Sequence, residues 1–324
     1  MTPMLTYTVK RLALMIPTLL GILIISFAVI QLVPGGPVEQ TLSVLEQQQQ
    51  GMASQGIYRV TSIPEAERAA LTQLYGLDRP VVERFWIMTK GFLTGDLGTS
   101  FFAQQSVTSL LLERLPVSLT LGALVFLFTY LIAIPLGIAK AIRHGSSFDL
   151  LSTMVLILVY AIPGFVLGVA LLMQFGSPSA GTLLMPVICI AAANLGFTTL
   201  LTKNSLLEEM GKRYAMAARA RGLSPKQVMR RHLFRNAVLP VVMGLPTAFM
   251  GAFFTGAVLI ETLFSIDGLG LLGFEAVMRR DYPVVMGTLF CFSLIGLLAR
   301  LLTDLAMVMI DPRIAFGKNA PSRS

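Results

Sequence analysis

Six stretches of this 324-residue chain are long and apolar enough to cross a bilayer, and they constrain everything else. A spanning helix needs about 20 mostly apolar residues, since the hydrocarbon core is about 30 Å thick and a helix rises about 1.5 Å per residue. The runs lie at about Val9–Val33, Val117–Ala139, Leu150–Phe175, Thr182–Thr202, Ala237–Ile260 and Val284–Ile310. Lipid offers no partner to backbone polar groups, so runs of this length are helices. The expected fold is therefore an all-α, polytopic membrane protein with six transmembrane helices. Asp, Glu, Lys and Arg make up 13% of the chain, about half the roughly 25% of a soluble domain. So few charges do not cover a soluble body of 35.1 kDa, which excludes a cytosolic enzyme and a simple nucleic-acid binder. Pro135, Pro163, Pro186 and Pro246 fall inside the runs and predict kinks that neighbouring helices satisfy.

Charge placement predicts the orientation, because cytoplasmic loops retain Lys and Arg. With the N-terminus inside, segments 1–11, 140–149, 203–236 and 311–324 hold 16 basic and 4 acidic residues, a net +12. Segments 34–116 and 261–283 hold 8 basic and 12 acidic residues, a net −4. Arg300 and Asp304 lie within the sixth helix and cancel, which recovers the formal +8 of the chain. Both termini are thus expected in the cytoplasm. The first run is too long for a signal-peptide core, and Pro34-Gly35-Gly36-Pro37 is no small-residue cleavage site, so it reads as a retained helix.

The expected organisation is an N-terminus and first helix (1–33), an external loop region (34–116), a transmembrane core (117–310) and a cytoplasmic tail (311–324). In the external region, Pro64 followed by Glu65 and Glu67 marks a helix start. Trp86 and Phe92 are placed for the membrane interface, which favours aromatic rings. Cys189 and Cys291 sit in apolar runs and read as small buried hydrophobes.

Segment 203–236 carries 9 basic and 2 acidic residues. Ser205 to Arg221 has helix-forming composition and Gly222 suits a left-handed C-cap. Ser224 then reads as an N-cap with Pro225 at the first helical position. Val228, Met229, Leu233 and Phe234 form the apolar side of a second helix. Taken alone, this helix–Gly turn–helix suits a lipid-binding basic loop, a DNA-binding pair of helices, or a docking helix for a cytoplasmic partner. For docking, Ala215, Ala217, Ala218 and Ala220 offer a small-residue surface.

The stretch from Tyr214 through Ser224, continuing through His232, Arg235-Asn236-Ala237 and Leu239-Pro240, resembles the cytoplasmic loop of bacterial ABC-importer permeases of the dipeptide/oligopeptide/nickel family. Arg11 to Pro17, Pro34-Gly35-Gly36-Pro37, Leu115-Pro116-Val117-Ser118, Arg280-Asp281-Tyr282-Pro283 and Asp311-Pro312-Arg313-Ile314 are similar to further motifs of that family. Leu201 to Ser205 and Gly268 to Gly273 resemble the branch that imports microcin C and oligopeptides. Two features depart from the pattern. Met216 stands where the general coupling motif has Glu, and the link Gly176–Gly181 is shorter than the usual external insertion between the third and fourth helices.

The resemblance implies a type I ABC-importer permease fold in the bacterial inner membrane. It implies a second homologous permease, two ATPase domains or one fused ATPase chain, and an external peptide-binding protein as partners, with membrane lipid around the spans. ATP and Mg would be bound by the ATPase partners, and no cofactor, metal ligand or catalytic residue is assigned to this chain. The chain indeed lacks a Gly-x-x-x-x-Gly-Lys-Ser/Thr phosphate loop. The coupling helix would comprise Tyr214, Ala217, Ala218, Arg219, Ala220, Arg221, Gly222 and Leu223. Gly268, Leu269, Gly270, Gly273, Asp281 and Tyr282 would face the external partner or gate the outer mouth. Arg300 and Asp304, four residues apart, are expected to pair on one helix face. An ion-coupled secondary transporter is the alternative, since such carriers keep ionisable groups in the membrane. An intramembrane enzyme is disfavoured, because the chain has neither Gly-x-Ser-x-Gly nor His-Glu-x-x-His and both His144 and His232 fall in cytoplasmic segments.

Overall fold

The computed structural model describes residues 3–32, 36, 38–39, 42, 69, 72–73, 76–176, 182–245 and 257–310. Among these residues every regular element is helical, and extended pairing is confined to one isolated bridge between Thr99 and Ser106. The elements are α1 (Pro3–Leu32), α2 (Val81–Thr94), α3 (Val107–Ile142), α4 (Ser147–Ala161), α5 (Gly164–Phe175), α6 (Leu184–Gly211) and α7 (Arg213–Ala220). Then follow α8 (Pro225–Val228), a π-helical turn (Met229–Leu233), α9 (Phe234–Ala237), α10 (Leu239–Met243), α11 (Ala257–Leu263), α12 (Leu269–Arg279) and α13 (Tyr282–Ile310).

Four of the six expected spans are single apolar helices: Thr8–Leu32, Val107–Ile142, Leu184–Gly211 and Tyr282–Ala306. The third expected span is not one helix. It divides into α4 and α5, which bend by 89°. Pro163 supplies the reason, since its ring drives the preceding residue out of helical geometry. Ile162 is accordingly extended, with φ −85° and ψ 117°. Pro135 leaves α3 unbroken and Pro186 lies in the first turn of α6, where a missing N–H costs nothing. The fifth expected span, with Pro246, is seen only at its flanks, α10 and α11. Residues 246–256 lie outside the described residues, as do the link 177–181, the tail 311–324 and the helix start at Pro64.

Helix α3 begins ten residues earlier than the apolar run suggested, because Ser106 caps it by accepting the Ser109 N–H at 3.1 Å. Its 36 residues correspond to about 54 Å, so the helix outruns the hydrocarbon core.

The chain forms two compact units. The first comprises Met1–Met15, Val117–Gly270 and Ile295–Ser324. Its core gathers Leu121, Val125, Val187, Cys189, Ile190, Ala191 and Ile260. Helices α3 and α6 meet here with almost no side chain between them. A Cβ on Gly137 would come within 2.7 Å of the Thr199 carbonyl oxygen and of Thr202, the close approach that small residues permit in membranes. The second unit comprises Ile16–Pro116 and Leu271–Leu294. Leu23, Phe92 and Met286 are its buried centre, ringed by Phe27, Ile30, Phe85, Met88, Leu97 and Phe290. Phe92, expected at the membrane interface, is instead packed 5.1 Å from the Phe290 ring, because it falls on the inward side of α2.

Candidate functional site

The segment after α6 departs from plain spanning helices. Helix α6 runs on past its apolar part to Gly211, and the extended Lys212 (φ −72°, ψ 150°) turns the chain into α7. Gly222 ends α7 in the left-handed conformation, φ +79°, and its N–H bonds the Arg219 carbonyl at 2.9 Å. Ser224 and Gln227 then form a reciprocal capping box: the Gln227 side chain accepts from the Ser224 N–H at 3.0 Å and Ser224 Oγ from the Gln227 N–H at 3.4 Å. The helix that follows widens into a π turn at Met229–Leu233 before α9.

This segment folds against its own chain. Ala141, Leu206, Ala215, Ala218, Val228, Leu233 and Ala237 are its buried core, and Tyr214, Leu223 and Met229 pack around them. The four alanines therefore do not form one surface. Ala215 is fully buried and Ala218 is 6% exposed, because their three-residue spacing puts both on the side facing Leu206 and Leu233. Met216, Ala217, Arg219, Ala220, Arg221 and Gly222 make the outward face, and Arg230, Arg231 and His232 are exposed beyond it.

A buried carboxylate fixes the start of α7. Glu209 Oε1 accepts from Lys212 Nζ at 2.5 Å, and Glu209 Oε2 accepts from the Tyr214 hydroxyl. The same hydroxyl accepts from Asn236 Nδ2 at 3.2 Å. Ser205 Oγ donates to the Ala237 carbonyl at 2.7 Å, so α6, α7 and α9 are stitched together at both ends. The bond to Glu209 raises the Lys212 pKa. Burial, and then the bond to Glu209, raise that of Tyr214, so Tyr214 stays a donor at neutral pH.

A second buried ionic cluster joins α3, α4 and α6. Lys140 has no exposed side-chain surface. Its Nζ lies 2.7 Å from the Asp149 carbonyl, Ser152 Oγ and Thr153 Oγ1, and 3.1 Å from Asp149 Oδ1. Lys203 Nζ reaches both Asp149 carboxylate oxygens at 2.7 Å. The Gly145 N–H and His144 Nδ1 complete the shell at 3.2 and 3.3 Å. Lys140, Asp149 and Glu209 counted in the sequence only as loop charges, and Lys203 as such a charge and as part of the Leu201–Ser205 run. The available signal was a carboxylate at the first turn of an apolar run, in a chain with 17 acidic residues.

The residues expected at an external partner or gate are largely interior. In the first unit, Glu261 is 1% exposed and lies beside Gly268, Leu269 and Gly270, all buried. A Cβ on Gly268 would stand 2.3 Å from Glu261 Oε1, and one on Gly270 3.0 Å from Oε2. These glycines therefore serve close approach to a carboxylate. Ser118 Oγ accepts the Leu269 N–H at 2.7 Å and donates to Glu261 Oε1 at 3.3 Å. In the second unit, buried Asp281 accepts from Ser100 Oγ at 2.5 Å and from the Phe101 N–H at 3.2 Å. Gly273 and Tyr282 are half-buried.

Asp304, the expected partner of Arg300, has Arg11 Nη1 of α1 3.1 Å from its Oδ2. Asp304 is only 22% exposed and turns toward a cation on another helix, where the pair also holds α1 to α13.

Comparison with known proteins follows this geometry. The family described as "Binding-protein-dependent transport system inner membrane component" matches residues 133–316, which include both ionic clusters and the capped segment. The peptidoglycan transport system permease protein YejB of Agrobacterium fabrum is 41% identical, over 96% of this chain and 98% of that protein. The inner membrane ABC transporter permease protein YejB of Escherichia coli O157:H7 is 38% identical over the same shares. The dipeptide transport system permease protein DppB of Escherichia coli K12 is 30% identical, over 97% of this chain and all of that protein.

Proposed function

Because this chain belongs to the family of binding-protein-dependent transport system inner membrane components, we propose that it forms the path for peptides in an ATP-driven importer and takes its motion from separate ATPase subunits through α7. The chain is a permease subunit, a translocation component and not a catalytic enzyme. It is a multi-pass protein of the inner membrane. As a binding-protein-dependent permease it works with an ATPase and a substrate-binding protein.

The finer reading is ours. Six spans in a type I arrangement place both termini in the cytoplasm, and a second homologous permease completes the path. ATP and Mg bind to the ATPase partners. The cargo is a peptide or peptide-derived compound, a reading supported by relatives named for peptidoglycan and dipeptide transport. In the first unit Glu261 packs with Gly268, Leu269 and Gly270, and in the second Asp281 packs with Ser100; each set would serve the external partner or the outer gate through its own unit. The ion-coupled alternative is not favoured, since the relatives are ABC permeases and Asp304 is held by Arg11.

One observation carries the docking role: α7 is anchored by one face and bare on the other. Ala215 and Ala218 hold it to its own chain, while Ala217, Arg219, Ala220 and Arg221 are free to enter a partner's groove. A ligand-driven switch needs a contact that differs between states, and this bare face supplies it. Ala220→Trp should abolish peptide uptake and peptide-stimulated ATP hydrolysis by the reconstituted importer while leaving insertion and thermal stability unchanged. Ala218→Trp should instead lower stability, because that side chain points inward. Normal uptake by a correctly inserted Ala220→Trp protein would remove α7 from the coupling path.

A further inference from the structure

Helix α2 presents two unlike sides. Phe85, Met88 and Phe92 join the core of the second unit. Phe85 meets Phe27 of α1 edge-on at 5.3 Å, and Arg84 Nη2 donates to Gln31 Oε1 at 2.8 Å. Val82, Trp86 and Leu93 follow each other at four and seven residues, one stripe on a helix. They are 79%, 57% and 82% exposed. Such apolar exposure needs a covering.

We propose that this stripe lies in the membrane interface, with phospholipid as its partner. Three observations select lipid. Gln31 stands one residue from the end of the α1 span, so its bond to Arg84 sets α2 at the level where that span leaves the hydrocarbon. The α1 residues Ile25, Val29 and Leu32 are likewise apolar and exposed. Lys90 Nζ lies 5.2 Å from the Trp86 ring centroid, the pairing of an amphipathic ring with a cation that suits the headgroup boundary. An interfacial helix buries its apolar face roughly 5–10 Å into that boundary. α2 thus braces the outer end of α1, in the orientation proposed above.

Trp86 is the one tryptophan of the chain, which makes the test direct. The full-length chain is reconstituted in vesicles of phosphatidylethanolamine and phosphatidylglycerol with lipids brominated near the headgroup or near the chain ends. Headgroup-proximal bromines should quench Trp86 more strongly, with blue-shifted emission and weak quenching by aqueous acrylamide. Leu93→Asp should shift emission to the red and reduce lipid quenching, and Glu83→Gln, off the stripe, should not. Strong acrylamide quenching without lipid quenching overturns the proposal. So does resistance to both quenchers, which would assign the stripe to a protein contact, and so does stronger quenching by the chain-end bromines. The measurement needs no transport, so it stands apart from the cargo and ATPase readings.

A different observation carries a second inference, which rests on the docking role of α7. We infer that Glu209 is a positioning residue for α7, since its carboxylate is bound by Lys212 at the turn, by Tyr214 in the first turn of α7 and, through Tyr214, by Asn236. Glu209→Ala should raise the ATP hydrolysed per peptide imported several-fold, and Glu209→Gln, which still accepts from Tyr214, should restore most of the coupling. An unchanged ratio, with uptake and hydrolysis falling together, would reduce Glu209 to a structural role. Failure of the docking reading itself shows separately, as normal uptake by Ala220→Trp.

Discussion

Asp149 and Asp281 are both buried carboxylates at the start of apolar helices, 6% and 5% exposed, yet they are satisfied by different chemistry. Asp149 sits between two lysines, one of them fully buried. Asp281 has a hydroxyl and a backbone N–H. The difference follows the charge of the surrounding loops. The segments around Asp149 are rich in Lys and Arg, so ions are available to neutralise it. The segments around Asp281 are net acidic, and donors without charge do the work. A basic excess near one membrane face is thus not only an orientation signal; part of it is consumed inside the fold.

Breaking the ionic cluster should have the largest effect. Asp149→Ala leaves Lys140 buried beside hydroxyls and a carbonyl, with its carboxylate gone. The apparent melting temperature in detergent should fall on the order of 10 °C. Asp149→Leu combined with Lys140→Met and Lys203→Met should recover most of that loss, because buried ions replaced together by apolar groups are close to neutral. If the triple variant is no better than the single, the cluster does more than neutralise charge.

Asp281→Ala should cost less, about 1–3 kcal/mol for the donors it strands. Limited proteolysis of the 95–106 loop should report it, and Asp281→Asn, which keeps one acceptor oxygen, should lie between. A loop equally protected in all three proteins would mean that Asp281 does not hold it.

The smallest contrast lies between two glycines, one beside Glu261 and one beside Thr288. Gly268→Ala drives a methyl into the Glu261 carboxylate and should destabilise by about 1–3 kcal/mol, the range for overpacking. Gly273→Ala meets Thr288 at an ordinary 3.5 Å and should be nearly neutral by thermal unfolding. Equal effects would show that close approach to Glu261 does not govern the Gly268 site.

Much of the fold was legible because lipid leaves the backbone few choices. A long apolar run must be a helix, and α1, α3, α6 and α13 each correspond to one of the expected runs, α3 and α6 extending beyond theirs. The caps at Gly222 and Ser224 were equally legible, since their chemistry is local. Legibility failed where two segments had to meet. The bend at Pro163 was expected only as a kink, because proline marks a break and not its angle. Phe92 turned inward and Trp86 outward for a reason that lies in α1 and α13, not in α2. The pairing of Asp304 with Arg11 joins positions 293 residues apart, as Arg11 and Asp304 are numbered. Ala215, Ala217, Ala218 and Ala220 look alike in a string, and packing alone divides them into a buried pair and an exposed pair.

The sequence by itself determined that the chain crosses a membrane, where its helices run, and which family's loop it carries. These follow from hydropathy, local capping and motif spacing, which act within a few turns of chain. The tertiary structure alone decided which charges are spent inside, at Lys140, Asp149, Lys203 and Glu209, and which face of α7 is buried. A charge near a helix end is indifferent to its sequence neighbours, and its desolvation is offset only by groups that folding brings from elsewhere.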